Sequence, residues 1–501
     1  MKEENRKMSL DKEIYTNIEN QEGADSDTNK DQLALSSMKE ETSVKEADIE
    51  SQVGEQLVLN QNMLLDAVEV LTPNNLVKLF FPSKESSNKS EFLDCIKESR
   101  NANGKRFLRR LFSGMINILE KIINRREYVP SSLAGDNSVE SKMPSVNPEI
   151  RKTSVNVSPD EGSSQALLFI RYCSQIITAH LQGMLQKSNR KASMGPIKVS
   201  NEPFRISSLL HDIILSFESC GNKGRMAQKD ICIMCEEWWH GNFEHREHLV
   251  PQLIPLLLSR SLDVIPTKED ISRLFKIRVA FDLFDFEDES IAYLKSLCLR
   301  TIKSPVYLRN SVGENFIAYL FQINESMVVD LHKAIKVQIP SAKKSHLKSF
   351  GNIYLKAWKL SENNLIIRKA MEEYVFHDLV HSVIHLSSSS TYKALRQVLT
   401  PLHHNKSTPE IDKLLNRIYG PILWRSLSAS NPFIRINAAE IFAVTFPLHD
   451  PDDDVAQIDA CRDKSVNALH KLMLDRDPRV RVSGSAATSK SKFFILICSY
   501  K

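Results

Sequence analysis

An all-α fold built from stacked antiparallel helix pairs is what this 501-residue sequence predicts, on three observations. From Phe204 to about Leu474, apolar stretches of about 12 to 20 residues, with three- and four-residue spacing, alternate with short polar breaks. No Asn-Gly hairpin turn and no sustained two-residue alternation interrupts the series. Near the end of the chain a motif recurs: "NPFIR" (Asn431 to Arg435) and "DPRVR" (Asp477 to Arg481), each after an apolar helix and a polar turn. Ile434 and Val480 stand 46 residues apart, within the period of about 40–47 residues of HEAT and armadillo units. The predicted class is therefore an all-α, HEAT/armadillo-type α-solenoid preceded by a disordered tail.

Residues 1–55 supply that tail. They hold 15 Asp and Glu against 7 Lys and Arg, a net of −8, so the other 446 residues carry +12 of a chain whose total is +4. Acidic, Ser-rich and poor in aromatics, the head cannot bury enough apolar surface to offset chain entropy. Residues 56–127 form an N-terminal helical segment with "LLDAVEVLTPNNLVKLFF" and "KRFLRRLFSGMINILEKIINRREY". In the second, Phe107, Leu108, Leu111, Phe112, Met115, Ile118, Leu119 and Ile122 make an amphipathic stripe. Residues 128–163, rich in Ser, Pro and Asn, read as a flexible insertion; it contains Ser158-Pro159, a dipeptide open to proline-directed phosphorylation.

Residues 164–204 pair the helix "SSQALLFIRYCSQIITAHLQGML" with a basic linker, and 205–487 form the repeat array. Within its turns, Pro432 and Pro478 take the first helical position, where the missing N–H costs nothing. Ile434 and Val480 are expected to enter the core, and Arg435 and Arg481 to pair with acidic groups of neighbouring turns. Residues 488–501 are an atypical tail: "DPRVRVSGSAATSKSKFFILICSYK" lacks the spacing of the expected closing helix, as in an incomplete or alternative product.

Eight cysteines in so long a chain do not read as a disulfide framework, which points to a reducing compartment. No leader-type apolar segment opens the chain, and no apolar run approaches the roughly 18 residues that span a bilayer. A soluble, intracellular protein without a membrane partner is expected.

"LTPLHHNKSTPEIDKLLNRIYGPILWRSLSASNPFIRINAAEIFAVTFPLHDPD" (400–452) resembles the G-type HEAT subunits of condensin II, with support from "CEEWW" (235–239), "YLKAW" (354–358) and the helix ending "HSVIHL" (381–386). The resemblance covers roughly 205–487 and is diffuse over 56–190. It implies a non-enzymatic accessory subunit, nuclear and chromosome-associated, that binds a kleisin subunit alongside the SMC ATPase pair and a second HEAT subunit, and helps shape mitotic chromosomes. The same architecture would also suit a nuclear transport or other peptide-binding HEAT adaptor.

Two segments imitate metal sites. "CIMCEEWWHGNFEH" spaces Cys232, Cys235, His240 and His245 as a zinc knuckle would, and a zinc-dependent nucleic-acid-binding protein built on 232–248 is the alternative of another class. However, Glu236 and Trp239 stand where a knuckle needs small residues, and Ile231, Met234, Cys235, Trp238 and Trp239 form a helical stripe. "FHDLVHSVIH" places His377, His381 and His385 four residues apart, and "HDLVH" imitates the HExxH of zinc proteases. Asp378 is a methylene shorter than the glutamate that motif uses. No metal and no cofactor is expected, and no phosphate loop, nucleophile elbow or kinase set is present.

The basic clusters suit phosphate backbones better. Lys105 and Arg109, Arg106 and Arg110, and Lys121 and Arg125 are each four apart, and Arg126 follows, so a helix gathers them into cationic ridges. Such a surface would bind duplex DNA weakly and without sequence preference. Lys343, Lys344 and Lys348 form a smaller patch of the same kind.

Overall fold

A computed structural model describes residues 93–94, 96–97, 102–125, 161–188, 195–218, 220–263 and 267–490, all within one unit spanning 65–501. The acidic head 1–55, the stretch around 64–81, Arg126, Ser158 and the last eleven residues lie outside them.

Eighteen α-helices stand among the described residues, with no strand and one isolated parallel bridge, Ile197 to Phe243. In chain order they are α1 (Ala102–Arg125), α2 (Glu161–Ser188), α3 (Asn201–Asp212), α4 (Gly221–His240), α5 (Leu253–Ser261) and α6 (Lys268–Lys276). Next come α7 (Ala292–Thr301), α8 (Pro305–Arg309), α9 (Ser311–Leu320), α10 (Glu325–Gln338), α11 (Lys344–Leu360) and α12 (Leu365–Ala370). The last are α13 (His377–His385), α14 (Ser389–His404), α15 (Pro409–Ser426), α16 (Pro432–Thr445), α17 (Val455–Met473) and α18 (Pro478–Lys490). The fold is an all-helical solenoid, as the periodicity predicts.

Local chemistry sets the breaks. Thr267 with Asp270 and Asp454 with Gln457 form capping boxes at the starts of α6 and α17. Asn310, Asn324, Asn364 and Asn431 cap α9, α10, α12 and α16 by accepting first-turn N–H groups. Proline opens α8, α15, α16 and α18. Between α12 and α13 the rod continues through a π-helical turn, Met371–Phe376.

Helices α6, α9, α11 and α14 pack successively side by side, while α10 lies against α12 and the π turn. Apolar faces are buried along the stack, and Trp238 on α4, Tyr307 on α8, Phe316 on α9, Tyr354 and Trp358 on α11 and Tyr419 on α15 are fully buried. Polar rungs join neighbouring units: Glu236–Arg273 (2.6 Å), Glu314–Lys356 (2.9 Å), Lys336–Asp378 (2.6 Å), Glu372–Arg417 (2.7 Å), Arg396–Glu440 (2.5 Å) and Arg435–Asp475 (2.7 Å). The partners lie 37, 42, 42, 45, 44 and 40 residues apart. The repeat period is thus visible in the ion pairs, over a range where the sequence shows only one explicit pair of motifs.

Three sequence expectations need correction. Helix α18 exists and runs to Lys490, where an atypical tail from 488 was expected. Its stretch "VSGSAATSK" has little apolar spacing because small residues let it lie close: a Cβ on Gly484 would stand 3.0 Å from Leu472 Cβ. Helix α2 begins at Glu161, inside the expected flexible stretch 128–163. Ile434 is only partly covered, because α16 turns Asn437, Ala438, Ile441 and Phe442 inward instead; Val480 is fully buried, as expected.

Candidate nucleic-acid interface and repeat turns

Helix α1 separates its two chemistries cleanly. All eight residues of the apolar stripe are at most 5% exposed, while Lys105, Arg106, Arg109, Arg110, Lys121 and Arg125 are all exposed. At about 100° per residue, the six cations fall within a sector of about 200° opposite the stripe. The only carboxylate on the helix, Glu120, lies inside that sector. Arg205 on α3, 85 residues away in sequence, forms an ion pair with it and remains 62% exposed. Sequence spacing had no means of finding Arg205, which neutralises the one acid on the helix.

The paired turns are built alike. Arg435 donates through one terminal nitrogen to the carbonyls of Ala429 (2.7 Å) and Ser430 (2.8 Å), six and five residues behind it. Arg481 repeats this on Asp475 (2.9 Å) and Arg476 (3.2 Å). The two differ in what the rest of the guanidinium does. Arg435 grips Asp475 with two parallel bonds of 2.7 Å, mostly out of solvent, and this holds the Asp475 carboxyl below the usual carboxylate range. Arg481 is exposed, against the expected pairing with an acidic group.

The metal look-alikes resolve into packing. Cys232 and Cys235 lie buried on α4, and burial pushes the Cys232 thiol up to about 12. His240 ends α4, whereas His245 sits in a left-handed turn with its ring 4.9 Å from that of Phe204. In the second segment, Asp378 accepts from His332 Nε2 (2.9 Å) and Lys336 Nζ (2.6 Å), and the His381 and His385 rings stack 4.4 Å apart. Among the described residues, no group of three or more His, Cys, Asp or Glu is placed to hold a metal ion. The six described cysteines are free thiols, and no described helix is long and apolar enough to cross a membrane.

Comparison with known proteins places this architecture. The family described as condensin II non structural maintenance of chromosomes subunit matches residues 300–450, which run from α7 to the loop after α16. The human condensin-2 complex subunit G2 is 30% identical over 302 residues, 59% of this chain and 26% of that protein. The chain is similar to the condensin II G2 subunits over a little more than half of its length. The mouse subunit is 29% identical over 283 residues and the Xenopus laevis subunit 30% over 258. The chain spans about a quarter of the length of the curated relatives it matches. The match to the human subunit covers more than the family's 151 residues, so the likeness extends beyond the stretch richest in quoted motifs.

Proposed function

We propose that the chain acts as a non-enzymatic scaffold in a condensin II-like SMC complex on chromosomes in the nucleus, binding a kleisin and contacting duplex DNA through α1. The observation that carries the reading is its kinship to the G2 subunits across a stack of helix pairs. The SMC ATPase pair and a second HEAT subunit are the further partners of that reading. It is tested by pull-down from mitotic extract. Recovery of a kleisin with its SMC pair is expected; recovery of transport factors in their place overturns it in favour of a peptide-binding adaptor.

The DNA contact rests on the one-sided cation surface of α1 and on the neutralised Glu120. With three to five cations reaching phosphates together, counterion release gives a log–log salt slope of roughly −3 to −5. Affinity from such a patch alone is micromolar or weaker, and tight binding depends on a kleisin supplying further contacts. Reversing Arg106, Arg109 and Arg110 to glutamate should flatten the slope and weaken all duplexes equally, since phosphate contacts carry no sequence information. A triple variant with unchanged affinity and slope removes α1 from the interface.

A further inference from the structure

Among the described residues, Arg309, Lys343 and Lys344 enter no ion pair, in contrast to the rungs that join neighbouring units. Arg309, the last residue of α8, lies beside the start of α11, where Ser349 Oγ donates to the Leu308 carbonyl (2.6 Å). Lys343 is the N-cap of α11 and makes no capping bond; Lys344 and His346 follow in a first turn without an acidic residue. Arg309, Lys343 and Lys344 are exposed. Nε2 of His346 is buried and has no hydrogen-bond partner. Burial first, and then the positive charges of Arg309 and Lys343, push the His346 imidazole below its ordinary value. Like charges held together without a counter-ion favour an anion at that point.

We propose that Arg309, Lys343, Lys344 and His346 form a receptor for one phosphoryl group, carried on a phosphorylated serine or threonine of a partner protein. A phosphomonoester brings nearly two charges and three acceptor oxygens, and the uncapped first-turn N–H groups of α11 add donors aligned with the helix dipole. Compactness distinguishes the site from the α1 surface. Its cations gather at one helix end, whereas those of α1 run along about 30 Å of helix, at about 1.5 Å per residue, as a nucleic-acid backbone requires.

The test uses the full chain with carbon-13 labelled histidine, the His346 signal being assigned with H346Q. Acetyl-glycyl-phosphoseryl-glycine amide is the probe, and its unphosphorylated form the control. Titrating the phosphopeptide should raise the His346 pKa by about one unit as Arg309 and Lys343 are neutralised, with no response to the control. R309Q/K343Q should abolish the response, and the α1 charge reversal should leave it intact. A His346 signal unmoved by the phosphopeptide overturns the site. Equal movement with random duplex DNA at matched phosphate concentration reassigns the surface to nucleic acid and overturns it as well.

Discussion

Asp378 joins residues from distant parts of the chain. It accepts from His332 and Lys336 on α10, and His332 Nδ1 lies 2.9 Å from the buried Tyr354 hydroxyl on α11. The His332 hydrogen bond, aided by Lys336 and opposed by burial, holds the Asp378 carboxyl down at about 2. A carboxylate whose folded value lies below its unfolded value of about 3.9 contributes stability that is complete above the latter. That stability is lost as pH falls through the folded value. Denaturant midpoints should therefore decline between about pH 4 and pH 2, and Asp378→Asn should lower the midpoint at pH 7 while flattening the acid limb. An unchanged acid limb in the variant would remove Asp378 from the pH response. From the sequence, Asp378 was visible only as the middle of a misleading zinc-protease pattern. Its partners lie 46 and 42 residues back, and only the stacking of α10 against the rod from α12 to α13 brings them within reach.

Helices were legible wherever one face alone is apolar. The stripe on α1 is buried to the last residue, and the helix through Cys232 and Trp239 forms where the spacing places it. Elements defined by their neighbours were not legible. Helix α18 has small residues in place of a stripe, and the π turn interrupts no apolar pattern. Close approach shows itself at Gly351, where α11 meets α14: a Cβ there would stand 2.2 Å from the Val398 carbonyl oxygen and 2.8 Å from the Pro401 ring. A methyl group normally favours a helix over glycine by about 1 kcal/mol. Here backbone would have to move, so Gly351→Ala should instead destabilise by about 1–3 kcal/mol. Urea denaturation measures this, and a variant as stable as the parent would mean the two helices can separate freely.

For the unit as a whole, each rung of the ion-pair ladder joins neighbours in the stack, so perturbations should stay local. Two rungs far apart in sequence give the test. Arg273 donates to Glu236 at 2.6 and 3.1 Å between α4 and α6, and both side chains are mostly out of solvent. Arg435 grips Asp475 in the same two-bonded manner between α16 and the turn before α18. Removing either arginine leaves a carboxylate partly buried without its partner, at a cost of about 2 kcal/mol. In a nearest-neighbour stack, Arg273→Ala should quicken amide exchange within 221–276 and leave 409–490 as in the parent. Arg435→Ala should do the reverse. Arg481→Ala, which removes carbonyl caps on an exposed turn but no ion pair, should affect only the residues next to it, by less than about 1 kcal/mol. Hydrogen exchange read by mass spectrometry resolves all three variants. If either of the first two quickens exchange at both ends of the unit, the stack unfolds as one cooperative body, and the ladder marks its period without dividing its stability.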